Sequence, residues 1–364
     1  MLKYFSVKGF KGFENKIEID FSNVRDYKFN ISCVNKNVVT SAIVYGKNSA
    51  GKSNLGLAIL DITAHLEDKN IGPNLYNYYL NTSSTQAEFN YIFDFDGEII
   101  EYAYVKTDIK NLISEEITLN GELILSYDYQ TKQGIFTGIK KLAPTLNYSF
   151  VSDGSMLRYV LNNTALAVDH PLYKFAIYIS KMLWFRTLDE NRYIGYKKQS
   201  DDYKTFIFED SVLNDFQKLL HSIGVNENLI VKVDTDGNKR LYFDEKTPLP
   251  FFNVASSGTK ALYTFFYWYK TSFDASFMYI DEFDAYYHYE LAEVIVELIK
   301  QMDNTQSIVT THNTNLLTNR IMRPDCYFIL TKDKLVSAAD ATNRELREGH
   351  NLEKLYMAGE FYDK

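Results

Sequence analysis

Cysteine is scarce: two in 364 residues, Cys33 and Cys326, with no C-x-x-C pair and no zinc-type spacing. That excludes a disulfide scaffold or a zinc module and suits a reducing compartment. Proline is also rare, 6 in all, and no Pro-rich or Ser/Gly-rich linker divides the chain. No stretch approaches the ~20 apolar residues of a membrane span. Residues 1–10 lack the apolar region of a secretory signal. The expectation is a cytoplasmic protein with no membrane partner. Positive charge is not in excess either: 39 basic against 47 acidic residues give a net charge of −8. This argues against a uniformly basic nucleic-acid binder. A local basic groove stays open, although Lys140-Lys141 and Lys197-Lys198 are isolated pairs, as on solvated faces.

What is present is apolar and aromatic. Hydrophobic residues make up 46% and charged residues 24%, enough for a full core and not the composition of a disordered chain. At ~100–200 residues per domain, the length allows two or three units, or one large unit with an insertion. Residues 2–7 and 16–21 alternate as strands do. Ala42-Ile43-Val44-Tyr45 is a short apolar run suited to a buried strand, and residues 55–65 have helical spacing. Residues 75–135 read as strands with hairpin dipeptides at Asp96-Gly97 and Asn120-Gly121. Residues 155–225 read as mostly helical, with Trp184-Phe185-Arg186 in core or interface. Residues 231–243 read as a hairpin around Asp236-Gly237-Asn238. Further on, the pattern predicts helices over 259–271, 290–302 and 315–320, and strands over 277–280, 307–311 and 327–331. The aromatic run 263–269 reads as a buried helix. Strand–loop–helix at the start and strand–helix alternation at the end predict one α/β core interrupted by an insertion. The expected division is core at 1–74 and 245–364, with an inserted β-then-α segment at 75–244.

Residues 46–53, Gly-Lys-Asn-Ser-Ala-Gly-Lys-Ser, match G-x-x-x-x-G-K-S/T at every fixed position, with a buried strand before and a helix after. Gly46 and Gly51 let successive N–H groups turn inward as an anion nest, and the helix adds its positive end. Lys47, Asn48, Ser49, Ala50 and Asn54 complete the loop. Lys52 is expected on the β- and γ-phosphates of ATP and Ser53 on Mg²⁺. A chance glycine turn spelling the same motif would seldom sit between such a strand and helix.

Phe277-Met278-Tyr279-Ile280-Asp281-Glu282 is an apolar strand ending in two carboxylates, at the edge where α/β folds bind ligands. Asp281 is expected to hold Mg²⁺, directly or through water, and Glu282 to act as general base toward the attacking water. Alone, such a pair is more often a solvated strand end; with a phosphate loop upstream it becomes the expected second half.

Three further pieces follow in order. Ser256-Ser257-Gly258-Thr259 stands at a predicted helix start. Asp284 comes shortly after Glu282. Thr310-Thr311-His312-Asn313 ends a strand. Walker A, the Ser-Ser-Gly-Thr signature, Ile-Asp-Glu and Thr-Thr-His together resemble the ABC-type ATPases of the SMC, RecF and OLD branch. Within it, the chain is similar to the stand-alone AAA-type ATPases related to OLD-family nucleases, found in bacterial abortive-infection and anti-phage systems of AbiL and PARIS type. The resemblance covers residues 1–65 and 250–361.

It implies an α/β ABC-type P-loop ATPase core, a mixed sheet flanked by helices, in which two subunits close head to tail on ATP. Ser256, Ser257, Gly258 and Thr259 would contact the partner's nucleotide. His312 would sense the γ-phosphate, and Asp284 would cross the seam as the D-loop residue. His288 has no assigned role, Tyr289 stands where related ATPases often have proline, and Gln86 is a weak candidate for a Q-loop glutamine. Too few residues follow His312 for a further domain of ~100 residues. A nuclease or toxin effector, of TOPRIM, HNH or other type, is therefore expected on a separate chain. Three readings stay open: an ATP-hydrolysing sensor or scaffold subunit of an anti-phage complex, a RecF-like DNA repair ATPase, and a regulatory module whose ATP site is structural.

Overall fold

Period-two alternation builds the first layer. Ala87–Phe95 buries every other residue, and Glu98–Lys106 follows suit. These strands turn back on each other at the expected Asp96-Gly97 dipeptide, and the next pair, Leu112–Leu119 and Glu122–Asp128, turns at Asn120-Gly121. Gln133–Ile135 closes one end of this seven-stranded antiparallel sheet, and Leu2–Lys8 with Ile17–Asp20 closes the other. The computed structural model describes residues 1–67, 74–148, 154–187, 192–196 and 203–362.

The second layer is also seven-stranded. Its spatial order is Arg192–Gly195, Met182–Arg186, Phe277–Asp281, Gln306–Thr311, Ser41–Gly46, Tyr327–Leu330 and Leu335–Ser337. The middle five run parallel and the two edges antiparallel. Phe277–Asp281, Gln306–Thr311 and Ser41–Gly46 are buried at every position, as expected of strands covered on both faces. Parallel register brings Arg186 beside Asp281 and Tyr45 beside Thr311. The carboxyl ends of four neighbouring strands therefore meet at one edge, the ligand-binding edge of α/β sheets.

Helix Lys52–Leu66 lies between the layers and is buried over most of its surface. Tyr279 of the parallel sheet donates its hydroxyl to the Lys52 carbonyl at 2.6 Å. From the other side, Tyr91 donates to the Ala58 carbonyl at 2.9 Å. The layers are also joined directly. Gln306 accepts from the Leu2 N–H at 3.1 Å and donates to the Leu2 and Val39 carbonyls. The expected α/β class, a mixed sheet flanked by helices, is what the structure has, and no helix among the described residues is long and apolar enough to cross a membrane.

The middle of the chain differs from the expected insertion. Its strands 87–135 share a sheet with Leu2–Lys8, and Met182–Arg186 and Arg192–Gly195 belong to the parallel sheet. Among the described residues the antiparallel sheet takes strands from both sides of 74/75, and the parallel sheet draws two strands from inside 75–244. Helices Met156–Asn163, Pro171–Ser180 and Asp210–Ser222 do occupy much of 155–225. Met182-Leu183-Trp184-Phe185 departs because a short apolar run fits a buried strand and a buried helix equally well. The Lys197-Lys198 pair lies outside the described residues. The helix expected over 315–320 is a single 3₁₀ turn, Thr314–Leu316. There the Asn313 side chain accepts from the Asn315 N–H, and Tyr327 donates to the Leu316 and Thr318 carbonyls. Both contacts compete with helix continuation. Helix Ser257–Thr271 buries residues 261–268, so the aromatic run is core.

Candidate nucleotide site

The phosphate loop begins where Ser41–Gly46 leaves the sheet. Ser49 and Gly51 adopt positive φ of 63° and 104°, the left-handed turns that point consecutive N–H groups to one side. At Gly51 the constraint is double, because an added Cβ would meet the Phe13 ring at 2.7 Å. The loop then runs into helix Lys52–Leu66, whose first N–H groups have no helical partner and face the loop. Lys47, Asn48 and Ser49 are exposed, Gly46 and Ala50 are buried, and Ser53 and Asn54 are half-buried.

Lys52 is buried, and its ammonium donates to the Gly46 carbonyl at 3.1 Å and to His312 Nε2 at 2.7 Å. Residues 260 positions apart are thus in direct contact. Burial pushes the Lys52 pKa below the ordinary lysine value, against the pull of Glu282, Asp281 and Asp284. His312 is also lowered, by burial and then by the Lys52 charge, so its neutral ring accepts the lysine proton.

Asp281 is fully buried, and each of its oxygens is held: Thr310 Oγ1 donates to Oδ1 at 3.0 Å, and Arg186 Nε donates to Oδ2 at 2.9 Å. Arg186 Nη2 also bonds Oδ2 and donates to Ser53 Oγ at 2.8 Å. The two expected metal ligands are therefore bridged by a cation of the chain itself, and one hydroxyl and one carboxylate oxygen held this way are the hard donors Mg²⁺ takes. Glu282 sits at φ 49°, a left-handed conformation that costs a non-glycine residue about 1–3 kcal/mol. Its N–H donates to Thr310 Oγ1 at 2.7 Å, which holds that turn against the neighbouring strand.

Asp284 accepts from Thr311 Oγ1 at 2.6 Å, and burial raises its pKa against that bond. It is anchored beside His312 in its own chain. Ser256 caps helix Ser257–Thr271, accepting from the Thr259 N–H at 3.1 Å. Ser256 and Ser257 are exposed, and among the described residues no hydrogen bond links 256–259 to the phosphate loop of the same chain. Gly258 packs on the segment after Asp284, where a Cβ would meet the Tyr286 carbonyl at 2.9 Å.

His288 is exposed and precedes helix Tyr289–Lys300 without a side-chain cap. Gln86 donates to Glu88 on the antiparallel sheet, and the residue beside Asp281 and Ser53 is Arg186. The sequence alone does not mark Arg186, Thr310 or Thr311 as site residues. The Thr-Thr before His312 was the available signal for two of them; Arg186 had none beyond its aromatic neighbours. A cleft of about 270 Å³ opens beside the loop between Lys47, Ala50, Thr331 and Tyr362. A larger concavity of about 820 Å³ lies on the antiparallel sheet and touches none of the expected site residues.

No curated protein matches the sequence. Among solved structures, an SMC head bound to the C-winged helix domain of ScpA is 16% identical, covering 92% of this chain and 97% of that one at a TM-score of 0.45. The SMC head domain of Thermotoga maritima is 16% identical, with 92% and 98% coverage and a TM-score of 0.43. A Pyrococcus furiosus Smc head with an extended coiled coil, bound to the C-terminal domain of ScpA, is 13% identical over 100% and 99%, at 0.47. Residues 41–318, from the phosphate-loop strand past His312, match the family described as "AAA domain, putative AbiEii toxin, Type IV TA system"; the chain belongs to that AAA family and carries an ATPase-type nucleotide-binding domain.

Proposed function

We propose that two copies of this chain bind ATP·Mg²⁺ head to tail and hydrolyse it, and that this cycle controls a separate effector in a bacterial anti-phage defence complex. The observation that carries the catalytic half is the 2.7 Å contact between Lys52 and His312. A lysine of the phosphate loop and a strand-end histidine in direct contact are placed to grip one phosphate from two sides.

Residues 46–54 cradle the phosphates, with Lys52 on the β- and γ-groups. Ser53 and Asp281 would hold Mg²⁺, which neutralises charge on the phosphate oxygens. Glu282 would take a proton from the attacking water, its backbone turn being held by Thr310. His312, neutral beside Lys52, donates to or accepts from the γ-phosphate edge and so reports its presence. The signature Ser256–Thr259, exposed at Ser256 and Ser257, offers hydroxyls and a helix N-terminus that make no hydrogen bond to the chain's own phosphate loop among the described residues, which favours contact with a second copy's nucleotide. Asp284 lies next to that surface and fits a seam position.

The defence half rests on the family description, which names a toxin–antitoxin context, and on the motif resemblance to AbiL- and PARIS-type ATPases. The effector would be a TOPRIM or HNH nuclease or another toxin.

The test measures ATP hydrolysis and molecular mass together, for wild type and Glu282→Gln, with and without DNA. Losing the general base should cost about 10²-fold or more in turnover, while an ATP-held dimer or larger assembly persists. A wild type that neither hydrolyses ATP nor changes mass with it sinks the catalytic reading and favours a structural ATP site. Strong stimulation by DNA would replace the defence reading with a RecF-like repair ATPase.

A further inference from the structure

A fully buried carboxylate needs a counter-charge or a dense set of donors, because bare burial of an ion costs far more than a protein can spare. Asp281 is such a group, with a side-chain exposure of 0%, and in this structure Arg186 is its partner. The arrangement follows from the fold: parallel register sets Arg186 directly across from Asp281 at the carboxyl edge. The guanidinium lies 5.8 Å from the Trp184 ring centre, close enough for the ring face to help hold its plane. Its fork spans two elements, reaching Asp281 Oδ2 on the acidic strand and Ser53 Oγ on the first helical turn. Those are the oxygens assigned to Mg²⁺. A metal at ~2.1 Å from these oxygens draws on the same lone pairs and repels a guanidinium held within hydrogen-bond reach.

We infer that Arg186 competes with Mg²⁺ for Ser53 and Asp281: the guanidinium bridges the same two oxygens the metal would take, and Mg²⁺ binding requires it to give way. It is a positioning residue acting through the two metal ligands. At 21% side-chain exposure it is the accessible member of the pair, whereas Asp281 is sealed in the strand. The bridge ties the two ligands to each other, and the apparent metal affinity is lowered by the fraction of molecules in which the arginine is in place.

This inference rests on the nucleotide reading, and the experiment separates the two. The affinity of a fluorescent N-methylanthraniloyl ADP is measured in EDTA and in millimolar Mg²⁺, for wild type, Arg186→Ala and Arg186→Lys. Thermal melting of the nucleotide-free proteins is followed across a Mg²⁺ titration. In wild type the arginine competes with the metal, so Mg²⁺ improves ADP binding modestly. In Arg186→Ala the gain from Mg²⁺ should be about tenfold larger, and the nucleotide-free variant should melt lower and recover as Mg²⁺ is added. Arg186→Lys, a point charge that cannot fork, should fall between. It also carries the test if the alanine variant does not fold. An unchanged gain, or one that shrinks, overturns the competition; the second would make Arg186 a ligand of the bound nucleotide. Failure of wild type to bind ADP under either condition overturns the nucleotide reading instead.

Discussion

Helix Lys52–Leu66 has a carboxylate–cation pair near each end, and the two differ in burial. At its amino end, Arg186 and Asp281 bridge to Ser53, with the arginine 21% exposed. Toward its carboxyl end, Asp61 and Lys106 meet at 2.8 Å with both side chains at 0%. Asp61 also accepts from Tyr104 at 2.9 Å and from Tyr79 at 3.0 Å, and Lys106 also donates to the Ile109 carbonyl. The first pair has solvent on one side and a competing metal in prospect. The second has no exit and no exchange partner, and it fastens the phosphate-loop helix to the antiparallel sheet. Glu115 deepens that anchor. Tyr102, Tyr129, Ser155 and the N–H groups of Met156 and Leu157 all donate to it, at the start of helix Met156–Asn163. The same chemistry serves exchange where one partner can reach water and fixation where neither can.

The sharpest way to break this comparison is to cut the sealed pair. Lys106→Met leaves Asp61 buried without a cation and should cost about 3–5 kcal/mol, whereas Asp61→Leu with Lys106→Met should recover most of it. Denaturant unfolding of the single and double variants reads both numbers. A loss under about 1 kcal/mol for Lys106→Met would mean that the tyrosine hydroxyls suffice and the ion pair is not the fastening.

A smaller effect is expected where the helix meets the parallel sheet. A Cβ on Gly56 would come within 2.5 Å of Tyr279 Cε1 and 2.8 Å of Trp184 Cδ1. Gly56→Ala would gain about 1 kcal/mol in helix propensity. It must nevertheless push apart two packed elements, at a cost of about 1–3 kcal/mol. Tyr279 also holds the Lys52 carbonyl, so the shift should reach the phosphate loop and weaken ADP binding as well as lower the melting temperature. Weakened stability with unchanged ADP affinity would show that the two ends of the helix are not coupled through this contact.

How much of this was legible in the sequence follows from how local each feature is. The phosphate loop is one contiguous octapeptide between a strand and a helix, so the motif, its helix and the positive-φ turn at Gly51 could all be placed from residues 41–66. The hairpins at Asp96-Gly97 and Asn120-Gly121 were legible for the same reason: two residues set the turn and alternation sets the register. Parallel pairing is not local. Nothing in Met182–Arg186 says which strand it will join, so Arg186 could not be set beside Asp281, and residues 75–244 read as an insertion when part of them belongs to the central sheet. Lys106 was hidden too, since a lysine at a strand end reads as exposed until Asp61 is known to face it.

The smallest effect is a pH dependence that belongs mainly to the sealed side. His65 follows Asp61 by one helical turn, bonds Tyr102 through Nε2 at 2.9 Å, and meets the Tyr104 ring edge-on at 4.4 Å. Burial, and then the charge of Lys106, push its pKa well below the usual histidine value. The unfolded chain takes up this proton near pH 6.5, while the folded protein does not until far lower pH. The unfolded state therefore binds more protons in that window, and stability rises with pH and is lost as pH falls below about 6.5. His312, also lowered, adds a share of the same sign. The slope from one such group is at most about 1.4 kcal/mol per pH unit. His65→Phe keeps the aromatic contact and removes the titration. Its stability should fall less steeply than wild type between pH 7 and 5, by about 1–2 kcal/mol over that range, measured as urea midpoints at each pH. Parallel slopes for the two proteins would mean that the folded protein admits the proton at His65, and that this side of the helix is less sealed than its geometry indicates.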